Sequence, residues 1–176
     1  MFTRGSKSRA ILGSILFFFV APFVVAGVLP FLLFGWSIKQ PFFGLFDTTI
    51  VGIAAILIGL GCLLECFSRF ALEGRGTPAP VAQTEILVAS GLYRFVRNPM
   101  YVAVLTIVLG EGLLFSNGLL FAYGVSLWMV FHLFIRFYEE PQLEKRFGNS
   151  YDTYRKHVRR WWPRLSPWNE SRPPIG

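Results

Sequence analysis

Charge is scarce in this chain and unevenly spread. Asp, Glu, Lys and Arg make up 15% of the 176 residues, against 53% apolar and 17% aromatic, and the stretch from Ala10 to Trp36 carries no charged side chain. That composition excludes an ordinary soluble domain of this length. Cysteine and histidine are rarer still, two of each. Cys62 and Cys66 lie one helical turn apart in an apolar run, too close along the chain to form a disulfide without distortion. With neither His nor a third Cys nearby they do not make a metal site, and they read as small residues facing lipid or a neighbouring helix. There is no internal repeat, and no low-complexity tract outside the ends.

What is abundant is uninterrupted hydrophobic sequence. Four runs stand out: Ala10 to Trp36; Thr48 to Phe67, with Glu65 near its end; Met100 to Phe115, interrupted by Glu111; and Gly118 to Phe134, holding only His132 before Arg136 ends the pattern. A helix rises 1.5 Å per residue, so such runs approach the roughly 30 Å of a bilayer's hydrocarbon core. The expected fold is therefore all-α, a polytopic membrane protein with about four transmembrane helices. Pro22 and Pro30 predict kinks in the first, tolerable where neighbours satisfy the freed carbonyls.

Basic residues are also missing from particular places. Of the 17 Lys and Arg, Lys39 alone falls between the first two runs, none lies in the Ser116-Asn117 turn, and the remaining 16 fall on the opposite side. The positive-inside rule then places both termini in the cytoplasm, in the cell or inner membrane. The net charge of +7 reflects topology and anionic headgroups, so the expected partner is the lipid bilayer and no nucleic acid. The first run is longer than a signal-peptide core and predicts a retained helix.

Between the second and third runs, Arg69 to Ser90 reads as a cytoplasmic connector, its Gly and Pro residues preventing a long regular element and "QTEILV" favouring a short strand or extended stretch. After the fourth run the pattern predicts a helix from Glu139 to Phe147, stopped by Gly148, and a second capped by Ser150 and beginning near Tyr151. Tyr151, Tyr154, Val158 and Trp161 would form one aromatic face opposite Arg155, Lys156, Arg159 and Arg160. This amphipathic helix should lie on the membrane or cap the bundle, with Trp161, Trp162 and Trp168 extending the interfacial belt.

Three polar features interrupt this apolar background. "GLYRFVRNPMY", Gly91 to Tyr101, places Arg94 and Arg97 just before Pro99, a residue suited to a first helical turn; snorkelling anchors would look the same. "GEG", Gly110 to Gly112, puts a carboxylate inside the third run between two residues that permit close approach of a backbone or ligand. "YEEP", Tyr138 to Pro141, sets two acids on a side dominated by positive charge. Adjacent helical residues diverge by about 100°, so one acid is expected to face inward. His132, Arg136, Glu139 and Glu140 share one stripe, which would also suit an internal salt-bridge ladder.

Taken together, "GLYRFVRNPMY", "GEG" and "EEPQLEKRFGNSYDTYRKHVRRWWP" resemble the membrane methyltransferases that include isoprenylcysteine carboxyl methyltransferase and phosphatidylethanolamine N-methyltransferase. The likeness runs from Gly91 to Pro163. It divides the chain into residues 1–90, two transmembrane helices and the connector, and 91–176, a methyltransferase-like region with two further spans and a cofactor-capping C-terminal segment. The resemblance implies S-adenosyl-L-methionine as cofactor and a membrane lipid or prenylated, lipidic acceptor. Cofactor-binding residues carried over are Tyr93, Arg97, Asn98, Pro99, Tyr101, Gly110, Gly112, Glu139 and Glu140, with His132 on the same stripe. Arg97, Asn98 and Tyr101 would act at the catalytic centre. Many relatives carry histidine where Asn98 stands, so acid–base chemistry there is replaced by hydrogen bonding.

The cofactor's own chemistry suits these residue types. Arg97 can clamp a carboxylate, either acid can accept from an ammonium or ribose hydroxyls, and Tyr93 or Tyr101 can face adenine or a sulfonium. Two other readings share parts of the pattern: an NADPH-dependent membrane reductase similar to the sterol reductases, and a non-enzymatic membrane assembly protein whose polar stripe only joins helices. The reductases usually follow the hinge motif with Glu and Trp, where this chain reads "YVAVLTIVLGEG".

Overall fold

Two prolines shape the helices. A computed structural model describes residues 22–36, 47–72 and 87–169, and every regular element among them is helical. Helix α1, Val24–Phe34, begins as a π turn over Val24–Val28 and becomes α-helical at Leu29–Phe34. Helix α4, Gly118–Phe134, likewise widens into a π turn at Ile135–Glu139 before α5, Glu140–Phe147. Each π turn ends two residues before a proline, Pro30 or Pro141. Proline has no N–H to offer the carbonyl four residues back, and the chain answers by widening its hydrogen-bond register.

Helix α2, Thr49–Leu72, and α3, Pro99–Leu114, make the most extensive contact in the bundle, and small residues allow it. A Cβ on Gly52 would meet the Gly110 carbonyl at 2.8 Å, and one on Gly59 would meet the Ala103 carbonyl at 2.9 Å. Leu63 and Phe67 of α2 join Ala103, Val104, Ile107 and Val108 of α3, with Ala26 and Leu127, in the main core. Helix α3 is thus the centre of the bundle, while α1, α2 and α4 carry most of the exposed apolar side chains of the bundle, among them Leu32, Ile50, Leu57 and Val125 at 62–80% exposure. So large an apolar surface belongs against lipid rather than water.

Two helices, Thr49–Phe70 and Gly118–Phe147, are long and apolar enough to cross a membrane. Pro99–Leu114 and Val24–Phe34 are shorter. The 16 residues of α3 reach about 24 Å, and much of its apolar surface is buried against α1, α2 and α4. Residues 10–21 of the first expected span lie outside the described residues.

The C-terminal segment folds back on the hinge. Helix α6 spans Asn149–His157, and its Tyr151 and Tyr154 pack with Val158 and Trp168. Backbone hydrogen bonds then tie the segment to the residues preceding α3: Arg97 N–H to the Arg159 carbonyl, Arg164 N–H to Phe95 and Trp168 N–H to Arg94, each 2.9 Å.

Several sequence expectations change here. Helix α6 starts at Asn149 without a side-chain cap, so Ser150 does not cap it; Gly148 makes the break with φ +50°. The helix ends at His157, so Trp161 leaves the aromatic face and lies against His132 instead. The face that remains is buried, making α6 a cap on the bundle, and Trp168 is buried with it. Of the expected "QTEILV" extended stretch, Leu87 and Val88 belong to neither helix nor strand, and residues 83–86 lie outside the described residues.

Candidate active site

The hinge reaches its place because Ser90 to Asn98 cannot continue a helix. Gly91 takes φ +53°, a single turn of 3-10 helix covers Gly91–Arg94, and Pro99 opens α3 immediately after Asn98. Tyr93 and Arg97 consequently line a cavity whose other walls come from Val25 of α1, Tyr101 and Val104 of α3, and Phe131 and Glu139 at the end of α4.

Within it, the Tyr101 hydroxyl donates to Glu139 Oε2 at 2.9 Å, and the Tyr101 ring tilts against Phe131 at 4.7 Å between centroids. Tyr93 is buried and meets Phe70 edge to face. Its backbone carbonyl accepts from the Tyr154 hydroxyl at 2.6 Å. Burial raises the pKa of the Tyr93 phenol well above its ordinary value, aided by nearby Cys66 and Glu139, so it stays neutral and presents a ring and a hydroxyl.

Both members of the acidic pair are engaged, in different directions. Glu139 turns to α3, as above, whereas Glu140 turns to the C-terminal segment. There Arg160 Nε and Nη2 donate to Glu140 Oε1 and Oε2 at 2.8 and 2.7 Å. Arg97 Nη1 lies 3.2 Å from Glu140 Oε1 and 3.4 Å from the Tyr151 hydroxyl. Arg97 Nε is buried without a hydrogen-bond partner. Burial foremost, with Glu140 adding to it, pushes the Tyr151 phenol up to about 12, while the hydrogen bond to Glu140 raises Arg160 further.

The stripe of His132, Arg136, Glu139 and Glu140 is therefore no ladder, because the π turn at Ile135–Glu139 separates its members. His132 Nδ1 accepts from Trp161 Nε1 at 3.2 Å, and Arg136 is exposed, 6.0 Å from the Phe137 ring. Asn98 lines the cavity and is 8% exposed, yet its amide donates to the Arg160 carbonyl at 3.2 Å. Gly110 and Gly112 stand elsewhere: Cβ atoms there would meet Gly52 and Ile56 of α2, or the Phe121 ring, so both serve helix packing.

Neither Arg160 nor Tyr151 is among the site residues expected from the sequence, where Tyr151 belonged to the aromatic face of the C-terminal helix and Arg160 to the basic face opposite it. The helix end at His157 is what redirects Arg160. Phe70 and Phe131 are also in the wall; Phe131 had no signal beyond its apolar run, and Phe70 fell in the stretch expected to be connector.

The constellation can be compared with known proteins. The phospholipid methyltransferase family matches residues 48–150. This chain belongs to that family. Its enzymes use S-adenosylmethionine. The chain is also similar to the protein-S-isoprenylcysteine O-methyltransferase of Schizosaccharomyces pombe, 38% identical over 74 residues, which are 42% of this chain and 31% of that protein. It thus spans about a third of the length of this curated relative. As a phospholipid methyltransferase family member, the chain has its hinge, the α3 and α4 walls of the cavity and the acidic pair inside the matched region, whereas Val25 of α1 precedes it and Tyr151 and Arg160 follow it.

The residues present suit the family's cofactor. Arg97 offers a buried donor with nothing to bond, which an anionic carboxylate would satisfy. Glu139, Tyr93 and Tyr101 add an acceptor and two ring faces.

Proposed function

We propose that this chain is an integral-membrane, S-adenosylmethionine-dependent methyltransferase acting on a lipid or lipid-modified acceptor, with four spans and both termini in the cytoplasm. The observation that carries this reading is the cavity where Arg97, Glu139, Tyr93 and Tyr101 converge beside apolar Val25, Val104 and Phe131. When bound, the cofactor supplies a methyl group activated on a sulfonium.

The chain's own residues bind, orient and exclude water. Arg97 holds an anionic carboxylate, with its guanidinium kept in position by Glu140 and Tyr151. Glu139 accepts from an ammonium or hydroxyl, and its bond to Tyr101 fixes that ring so that its face can meet a cation. Glu140 and Asn98 act one step removed, locking Arg160 and its carbonyl over the site. No strong acid or base is required, since transfer from a sulfonium disperses positive charge; alignment in a dry cavity supplies the rate. The acceptor's apolar part would enter along the Val25, Val104 and Phe131 wall.

Thermal stabilisation of the detergent-purified protein tests the reading. S-Adenosylmethionine or its demethylated product should raise the melting temperature and NADPH should not. Arg97→Leu and Glu139→Gln should each weaken binding about tenfold or more, the loss of one charge-assisted hydrogen bond. Stabilisation by NADPH alone, or unchanged cofactor affinity in both variants, would overturn it.

A further inference from the structure

Helix α1 contributes a wall of the cavity and carries a gap in its own hydrogen bonding. Pro22 and Val25 belong to the lining, Ala26 reaches the main core, and Phe31, Leu32 and Leu33 are exposed. Within the π turn of Val24–Val28, the Leu29 N–H returns to the Val24 carbonyl, five residues back. The next bond of that register would run from residue 30 to the Val25 carbonyl. Residue 30 is proline and has no N–H to give. The Val25 carbonyl therefore lacks the partner its own helix should supply. It lies in a run without charged side chains from Ala10 to Trp36, where lipid offers no donor either.

Tyr123 of α4 fills the gap. Its hydroxyl donates to the Val25 carbonyl at 2.7 Å, and its ring meets Phe34 of α1 edge to face, 5.9 Å between centroids. One side chain thus grips α1 at two points, near both ends of the helix. Phenylalanine would serve the ring contact equally well, so the hydroxyl is the part that answers the carbonyl. Tyr123 itself stands outside the cavity lining and can act on the site only through the helix it holds.

We infer that Tyr123 is a positioning residue: by completing the backbone bond that Pro30 removes, it sets the α1 wall against which the acceptor's apolar part lies. The acceptor's place at that wall rests on the methyl transfer proposed above, whereas the hold of Tyr123 on α1 does not.

The test is a cycle of Tyr123→Phe and Pro30→Ala in the full chain, purified in detergent. Tyr123→Phe keeps the ring and strands the carbonyl, and should lower the melting temperature by about 2–6 °C, the loss of one hydrogen bond. In Pro30→Ala the N–H of residue 30, or that of Leu29 should the turn tighten to an α-helix, serves the same carbonyl. Tyr123→Phe should then cost less than about 1 °C in that background, whereas a role in packing alone would cost the same in both. With S-adenosylmethionine saturating, and dioleoylphosphatidylethanolamine or S-farnesylcysteine in mixed micelles as acceptor, Tyr123→Phe should raise the acceptor KM roughly two- to tenfold. The cofactor affinity should stay at the parent value. Equal melting losses in the two backgrounds, or an acceptor KM unchanged in Tyr123→Phe, would refute the inference. Failure of S-adenosylmethionine to bind would instead overturn the proposed activity, and the melting cycle, which needs no acceptor, would still decide the role of Tyr123.

Discussion

Replacing Glu140 by Gln turns one of the two accepting oxygens of a two-pronged contact into an amide NH2 donor and removes the negative charge shared by two guanidinium groups. Both Arg160 bonds, at 2.8 and 2.7 Å, and the 3.2 Å contact to Arg97 lose their charge. Side chains of Glu140, Arg160 and Arg97 are only 13%, 20% and 12% exposed, so water compensates poorly. A hydrogen bond to a charged group contributes about 1.5–3 kcal/mol, and breaking a fully buried pair costs about 3–5 kcal/mol. This partly accessible triad should fall between them, at about 2–4 kcal/mol. Denaturant or thermal unfolding in detergent measures it, and protease cleavage within residues 158–168 should accelerate, because Arg160 latches that segment to the helix end. Arg160→Gln alone should behave similarly. The double variant should cost less than the sum of the two singles, the mark of direct coupling. Glu139→Gln supplies the contrast: it takes only the charge from a bond accepted from one neutral hydroxyl and should affect cofactor affinity far more than the latch. Additive singles, or parent-like protease resistance in Glu140→Gln, would refute the argument.

The other predictions are more local. Gly110→Val should destabilise the bundle by about 1–3 kcal/mol through overpacking, because its Cβ would stand 2.9 Å from the Gly52 carbonyl; cofactor affinity of the folded fraction should not change. Tyr151, raised to about 12, gives a pH dependence of known sign: the native state holds the phenolic proton more tightly than the unfolded chain, whose pKa is about 10. The stability this contributes is complete below about pH 10 and is lost as pH rises toward 12, and Tyr151→Phe should flatten melting temperature against pH over that window. For topology, a cysteine at Ser116, on the turn between α3 and α4, should react with impermeant reagents only from outside. Reaction from the cytoplasmic side alone would invert the proposed orientation.

Membrane character, helical class and the polar hinge could be read directly from the chain, since long apolar runs have few alternatives to helix in lipid and charged residues within them stand out. "GLYRFVRNPMY" and "EEP" were legible for that reason, and Arg97, Tyr101 and Glu139 do meet in one cavity. Local pattern carried no information about direction. Both acids were not expected to be engaged, because an ideal helix turns adjacent residues apart; the π turn before Pro141 and the returning C-terminal segment give each acid its own partner. Gly110 and Gly112 looked equally suited to a ligand or a helix, and only the approach of Gly52, Ile56 and Phe121 gives them to packing. Arg160 lies 20 residues from Glu140, past a helix break at Gly148 and a helix end at His157, and no periodicity survives two such interruptions. Pairings of that kind depend on where chain ends converge in space, a property of the packed bundle that no single segment encodes.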